Sequence, residues 1–151
     1  MTARPTELKF TIVIPPKAQK RDRTRAFKLG NRFVGRSYKD PEQRIEENRL
    51  VALLLEHRPP EPLEGPLLLG LRAYLPVPQS KSKKWQAAAL AGEIRPTTRP
   101  DLDNLVKQIK DVCNGIFWGD DRQVVGYVDG TGKYYGAPPR FEITVKKFEN
   151  G

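Results

Sequence analysis

Apolar residues recur along this chain with two different periods, and the combination restricts the fold to one that contains both strands and helices. Near residues 8–14, 67–75 and 141–145 every second residue is apolar, which is the pattern of a half-buried strand. A further apolar segment at residues 124–128 is also predicted to be a strand. Between residues 103 and 114 the spacing becomes helical, and one apolar stripe is formed by Leu105, Val106, Ile109, Val112 and Cys113.

A second helix is predicted to begin at residues 40–43. Asp40 can cap it, Pro41 suits its first turn and Gln43 has the spacing of a capping box. The helix should run to about Glu56, with its buried side supplied mainly by Ile45, Leu50, Val51, Leu54 and Leu55. The sequence therefore predicts a single α+β domain over residues 1–151, with a mixed sheet of at least four strands and two principal helices.

Two basic segments interrupt this pattern. Residues 17–36 show neither period and contain Gly30 and Gly35, so they are predicted to be a loop. Residues 79–98 are polar and basic around Trp85, which can either stack on a base or pack against the core in a short helix. These segments, together with one arginine near the acidic residues, supply the candidate DNA contacts: Lys17, Lys20, Arg21, Arg23, Arg25, Lys28, Arg32, Arg36, Lys81, Lys83, Lys84 and Arg99.

The net charge of +9 favours a polyanionic partner, because cationic side chains attract nucleic acid and release its counterions. A basic protein without such a partner is the alternative that charge alone leaves open. The longest apolar run, residues 50–55, is only six residues long and too short to cross a bilayer, so no membrane partner is expected. Cys113 is the single cysteine, which excludes an internal disulfide and predicts a cytoplasmic location.

Aspartates are concentrated in one segment of this basic chain. Asp101 and Asp103 flank the start of the predicted 103–114 helix, and Asp120 and Asp121 lie between its end and the next strand. The helix is about 18 Å long, so its ends meet only if the preceding chain folds back along the strand after Asp121. Carboxylates gathered in that way would call for a hard cation such as Mg²⁺ or Mn²⁺. One histidine and one cysteine in the whole chain argue against a zinc site.

Each of these residues also has a purely structural interpretation. Asp101 can be a helix N-cap, Asp103 a favourable charge at a helix N-terminus, and residues 120–121 a turn before a strand. Lys107 lies one turn after Asp103, where it can stabilise charge on a scissile phosphate or simply pair with Asp111. Only the combination of these features favours a catalytic site.

The combination resembles the motif of the RusA family of Holliday junction resolvases. The matching parts are residues 99–107 (RPDLDNLVK), Asp111, residues 114–115 and residues 118–123 (WGDDRQ). In outline, the family motif is Arg/Lys-Pro-Asp-x-Asp-Asn-x-x-Lys, a helix ending at Asn-Gly, and Asp-Asp-x-Gln at the next strand. Residues 79–98 are longer than the shortest family members require, as in phage and prophage members, and are interpreted as a basic insertion.

The resemblance implies a small homodimeric endonuclease that depends on Mg²⁺, with Mn²⁺ as a substitute, and uses no organic cofactor. It would resolve four-way DNA junctions by paired symmetric nicks that leave 5′ phosphates and 3′ hydroxyls. Carried over by position, the metal-binding carboxylates are Asp101, Asp103 and Asp121, with Asp120 adjacent, and Lys107 is the functional lysine. Two alternatives stay open: a non-catalytic nucleic-acid-binding module, and a nuclease that prefers flaps or branched replication intermediates.

Overall fold

The structure is a computed structural model that describes residues 6–17, 23–29, 32–38 and 41–149, the second and third of these ranges as backbone. Its elements, in chain order, are β1 Glu7–Ile12, β2 Arg23–Leu29, β3 Arg32–Tyr38, α1 Pro41–Leu55, β4 Leu67–Leu75, α2 Lys83–Leu90, α3 Leu102–Cys113, β5 Val124–Tyr127, β6 Gly132–Tyr135 and β7 Arg140–Lys147.

Strand β4 lies at the centre of the main sheet. On one side it pairs with β7, which in turn pairs with β1, and both pairings are antiparallel. On the other side β5 and then β6 pair with β4, and both pairings are parallel. The predicted α+β domain with a mixed sheet is confirmed. Strand β6 was not predicted as a separate strand, because its segment begins with the turn-like residues 129–132.

One face of this sheet forms the core together with α1 and α3. Alternate residues of β4, from Leu67 to Leu75, are buried, and they share a single cluster with Ile143 of β7, Leu54 of α1 and Ile109 of α3. Burial of each such side chain stabilises the fold by about 1.5–3 kcal/mol. The residues between them point to the other face, where Arg72 is exposed.

Helix α1 begins and ends near the predicted positions, but its predicted buried side was partly wrong. Leu50 and Leu54 are buried, whereas Ile45 is 68% exposed. Ile45 precedes Leu50 by five residues, which rotates it about 140° around a helix, away from the apolar stripe. Gln43 precedes Leu50 by seven residues and is buried on the stripe instead, with its Nε2 donating to Oε1 of Glu47 at 3.0 Å.

The prediction that residues 17–36 form a loop was also wrong. Strands β2 and β3 pair antiparallel as a two-stranded sheet, with Arg25 opposite Arg36. A ribbon paired only with itself need not show the alternation that burial against a core imposes, so the period was absent. The intervening Gly30-Asn31 dipeptide was the turn signal available in the sequence.

Residues 79–98 contain α2, which agrees with the predicted short helix. Ser82 caps it, accepting a hydrogen bond from the backbone N of Trp85 at 3.1 Å. That this segment is an insertion stays a prediction. Within the described ranges, no helix has the length and apolar character to cross a membrane. The expected cytoplasmic location stays a prediction too.

Candidate active site

Helix α3 separates the core from the candidate site. Leu105 and Ile109 are fully buried, whereas Asp103, Lys107 and Asp111 are exposed. These three charged residues are spaced four apart and therefore share one face of the helix. The apolar stripe of α3 thus fixes the direction in which Asp103 and Lys107 face.

Asp101 occupies the N-cap position of α3, but its side chain makes no capping hydrogen bond. Only its backbone carbonyl takes part in the helix, accepting from the backbone N of Leu105 at 3.1 Å. The exposed carboxylate instead borders a cleft that is also lined by Asp103, Arg95 and Lys133. The alternative that the Asp101 side chain serves as a helix cap is therefore not seen in the structure.

A turn of 3-10 helix at Asp121–Gln123 precedes β5, and Asp120 caps it. Oδ1 of Asp120 accepts hydrogen bonds from the backbone N of Arg122 at 2.8 Å and from its Nε at 3.1 Å. The backbone amide, and then the guanidinium, holds the pKa of Asp120 below its ordinary value. In the structure Asp120 shapes the turn, and its expected place beside a metal ion stays a prediction.

Gln123 ties the same turn to the chain before β4. Its Oε1 accepts from the backbone N of Gly119 at 2.8 Å and of Asp120 at 2.9 Å. Its Nε2 donates to the carbonyls of Leu63 and Gly65 at 2.9 and 3.0 Å. The sequence Asp-Asp-x-Gln is therefore one hydrogen-bonded unit, in which the first aspartate caps and the glutamine anchors.

The second aspartate of the unit, Asp121, is held by a different contact. The indole Nε1 of Trp118, which is fully buried, donates to Oδ1 of Asp121 at 2.8 Å. Cys113 is buried nearby in the core, as predicted from the apolar stripe. Burial, and then the negative charge of Asp121, raises the pKa of the Cys113 thiol to about 12.

The fold brings Asp103 and Asp121 together from two elements. Both line a cleft of about 340 Å³ with Lys107, and the further lining includes Lys110, Asp111 and Tyr127. Asp101 lies in the adjoining cleft, which shares Asp103. The expected gathering of all three carboxylates is not found. In the part of the chain that the structure describes, no three His, Cys, Asp or Glu side chains are grouped closely enough to hold an ion.

Three contributors to this site were missed by sequence reasoning. Trp118 belonged to the recognised motif, but nothing in its spacing indicated a hydrogen bond to Asp121. Lys133 of β6 donates from Nζ to the carbonyls of Thr98 and Pro100 at 2.6 and 2.8 Å, which fixes the chain that leads into Asp101. Tyr127 lines the cleft although it is 54% exposed, and only the pairing of β5 beside β4 brings it there.

The predicted DNA contacts fall into groups. Lys17 is engaged elsewhere, since its Nζ forms an ion pair with Oε1 of Glu46 on α1 at 2.8 Å. Lys20 and Arg21 lie outside the described residues. The following five predicted contacts lie on β2 and β3, where the backbone alone is described: Arg23, Arg25, Lys28, Arg32 and Arg36. None of these assignments is tested by the structure.

The remaining predicted contacts are exposed side chains: Lys81, Lys83, Lys84 and Arg99. Trp85, between them and the core, is partly buried and packs edge-on against Tyr135 at 5.5 Å between ring centroids. Lys81 Nζ lies 5.4 Å from the centroid of the Trp85 ring. Of the two interpretations of Trp85, packing is the one seen in the structure.

Comparison with known proteins identifies the family to which the chain belongs. Residues 13–146 match the family model of endodeoxyribonuclease RusA, so the chain belongs to the RusA family. The resemblance identified from the motif is thereby confirmed, and membership implies a nuclease that acts on branched DNA. The chain is also 36% identical over 144 residues to the uncharacterized protein YqaN of Bacillus subtilis (strain 168), an alignment covering 93% of this chain and 96% of that protein.

Proposed function

We propose that this protein is a homodimeric, Mg²⁺-dependent endonuclease that resolves four-way DNA junctions by paired symmetric nicks. The observation that carries the proposal is the cleft in which Asp103, Asp121 and Lys107 meet, in a chain of net charge +9 that belongs to the RusA family. Carboxylates beside a lysine suit a site where a cation and a phosphate are bound together.

The side chains present fit a hard divalent cation. Asp103 and Asp121 offer carboxylate oxygens in one cleft, and the Asp101 carboxylate is free of any helix-capping bond. Mg²⁺ is commonly held by one or two carboxylates and completed by water and substrate phosphate, so a preformed cage of three is not required. Bound there, the ion would polarise the phosphodiester and promote formation of hydroxide from water.

The protein's own groups have separate tasks in this proposal. Asp103 and Asp121 would hold the cation, with Asp101 contributing from the adjoining cleft, and Trp118 would keep the Asp121 carboxylate oriented. Lys107 faces the phosphate and stabilises the charge that builds on it in the transition state. A water molecule gives up one proton as it adds to phosphorus, the bond from phosphorus to the 3′ oxygen breaks, and the 3′ oxygen takes up a proton. The products are a 5′ phosphate and a 3′ hydroxyl.

The dimer follows from the symmetry of the substrate. A four-way junction has two equivalent strands to be cut, and a two-fold dimer offers one acidic site to each. Exposed lysines on and before α2, and the basic ribbon of β2 and β3, would bind the arms through phosphates. Affinity is then expected to fall steeply with salt.

The test is cleavage of a synthetic four-way junction in Mg²⁺ by the wild type and by Asp103→Asn, with linear duplex of the same sequence as the control. The wild type should nick the junction in two symmetric strands, and a DNA ligase should reseal the nicks. The Asp103→Asn variant should bind the junction at least as tightly, because one carboxylate no longer repels the phosphates, but it should not cleave.

The outcomes separate the candidate functions. Junction binding without cleavage by either protein would leave only a nucleic-acid-binding module. Cleavage of linear duplex as fast as junction would remove the resolvase assignment while keeping the hydrolytic site. Faster cleavage of a flap than of a junction would point to a nuclease of replication intermediates. A monomer in sedimentation at the concentration of the assay would contradict the paired incision.

A further inference from the structure

Three arginines on the sheet face opposite the core are stacked on two tyrosines. Tyr74 of β4 and Tyr134 of β6 stack with their ring centroids 5.3 Å apart. The guanidinium carbon of Arg95 lies 3.6 Å from the centroid of Tyr134, and that of Arg72 lies 5.3 Å from it on the same ring. The guanidinium of Arg140 lies 3.9 Å from the centroid of Tyr74. We call these five side chains the arginine–tyrosine stack.

Glycines in the β6 segment make room for this stack. A methyl group on Gly132 would lie 2.7 Å from Nη2 of Arg95, and one on Gly136 would lie 2.8 Å from Nη1 of Arg140. Both distances are shorter than such contacts normally are, so a larger residue at either position would displace an arginine. The backbone here thus allows close approach of the guanidinium groups.

The arginines differ in how much of their charge remains available. Nε of Arg140 is paired with Oε2 of Glu142 at 2.9 Å, so its charge is largely offset. Arg72 and Arg95 are exposed, and no ion pair of either is found among the described residues. Asp129 and Glu142 line the neighbouring groove with Arg72, and Glu142 is its partner across the strands, so the more strongly cationic part of the stack is the side held by Arg95.

The stack is also continuous with the candidate active site. Arg95 donates from Nε to the carbonyl of Lys133, and it lines the cleft that contains Asp101 and Asp103. A strand bound in that cleft would therefore lie against Arg95 as well as against the two carboxylates. The position of the stack, its positive charge and its proximity to the candidate active site all favour the same class of ligand, the phosphates of DNA.

We propose that Arg72 and Arg95, held on the arginine–tyrosine stack, bind the phosphodiester backbone of one duplex arm of the junction; this rests on the proposed function. A guanidinium stacked on a ring loses little further freedom when it binds, while its N–H edge stays available for two parallel hydrogen bonds to phosphate. The stack therefore orients the arm that leads into the cleft, through two arginines that were not among the DNA contacts predicted from the sequence.

The experiment measures how junction affinity depends on salt. Fluorescence anisotropy of a labelled four-way junction is titrated at several KCl concentrations, with EDTA present so that no cleavage occurs. The proteins compared are the wild type, the double variant Arg72→Gln/Arg95→Gln, and Arg58→Gln, which removes an exposed arginine after α1. Each phosphate contact contributes about 0.9 to the slope of log affinity against log salt, so the double variant should lose about 1.8.

Arg58→Gln should keep the wild-type slope. An unchanged slope for the double variant, or an equal loss for Arg58→Gln, would overturn the inference. The slope reports the number of ions displaced per bound molecule. A partly unfolded preparation would therefore lower the active fraction of the protein but leave the slope unchanged. If circular dichroism shows that the double variant is unfolded, the single variant Arg95→Gln provides the test, and its slope should fall by about 0.9. A wild type that does not bind the junction would instead refute the proposed function itself.

Discussion

Trp118 donates a 2.8 Å hydrogen bond from its buried indole to Oδ1 of Asp121, and this contact connects the core to the candidate metal site. The bond restrains Oδ1 of the carboxylate and leaves Oδ2 outside this contact. Asp121 lies on a short turn next to the exposed residue Arg122, so the turn alone restrains its side chain little. The buried indole of Trp118 cannot rotate away, and it can therefore orient the carboxylate.

We predict that Trp118→Phe raises the Mg²⁺ concentration needed for half-maximal cleavage by about tenfold, since loss of a bond that orients a ligand typically costs 10- to 100-fold in metal affinity. Junction affinity in EDTA should be unchanged. The control is Trp85→Phe, an equivalent change at a tryptophan that packs against Tyr135 in a different part of the fold. Equal Mg²⁺ requirements for the two variants would mean that Trp118 does not orient Asp121.

Lys107 is expected to act on the transition state rather than on binding. Lys107→Gln should lower the single-turnover cleavage rate at saturating junction by about 100-fold, with a much smaller change in affinity, because the lost charge acts where charge builds on the phosphate. Lys110→Gln provides the matched comparison, since Lys110 lines the same cleft one turn further along α3. If both variants lose the same factor, the total charge of the cleft matters rather than the position of Lys107.

The parts of the fold that bury a continuous apolar face were predictable. The alternation of β4 and the stripe of α3 are each imposed by contact with the core, so the sequence carries their period directly. The ribbon of β2 and β3 pairs only with itself, and Ile45 lies off the apolar stripe of α1. Because neither carries a period imposed by the core, the sequence pattern does not report their structure. These are the features at which periodicity gave the wrong answer.

The candidate site could be proposed from its motif, but its geometry could not be predicted from the sequence. The ordered aspartates indicated which residues to consider, and the RusA match supports that choice of family. Nothing local could show that Asp101 and Asp121 lie in separate clefts joined by Asp103, because that depends on β5 pairing beside β4. The two hydrogen bonds from Lys133 to the chain before Asp101 could not be predicted for the same reason, since they join residues that are 33 and 35 positions apart in the sequence.

Asp120 offers a prediction about stability and pH. Its pKa is lowered in the folded protein, so its ionised form stabilises the fold above the ordinary aspartate pKa of about 3.9, and this contribution is lost as the pH falls through the lowered value. Asp120→Ala should therefore lower the melting temperature at pH 7, and the difference from wild type should shrink steadily below about pH 4. Thermal unfolding followed by circular dichroism measures both.

The companion variant Asp120→Asn keeps a side-chain acceptor for the capping bond, so it should retain more stability than Asp120→Ala at pH 7. It should also still cleave junctions, whereas Asp121→Asn should not, because Asp121 faces the cleft and Asp120 faces Arg122. A melting-temperature difference that stayed constant down to pH 2 would contradict the ionised cap. Loss of cleavage in Asp120→Asn would instead give Asp120 a direct part in the site.

Lys133 should influence metal binding through Asp101, although it touches no phosphate in the proposed reaction. Lys133→Met removes the two bonds to the carbonyls of Thr98 and Pro100, so the chain that leads into Asp101 is no longer fixed. We expect the rise in melting temperature that Mg²⁺ produces in the wild type to be smaller in Lys133→Met, because weaker binding gives less stabilisation. Lys146→Met, at an exposed lysine of β7, should keep the full rise.

A double-mutant comparison decides whether the effect of Lys133 passes through Asp101. In an Asp101→Asn background the Mg²⁺-dependent rise should already be reduced, and adding Lys133→Met should reduce it no further, since coupled residues are not additive. Additive losses would show that Lys133 acts on some other part of the site. The measurement needs no DNA and no turnover, so it tests the arrangement of the carboxylates separately from the identity of the substrate.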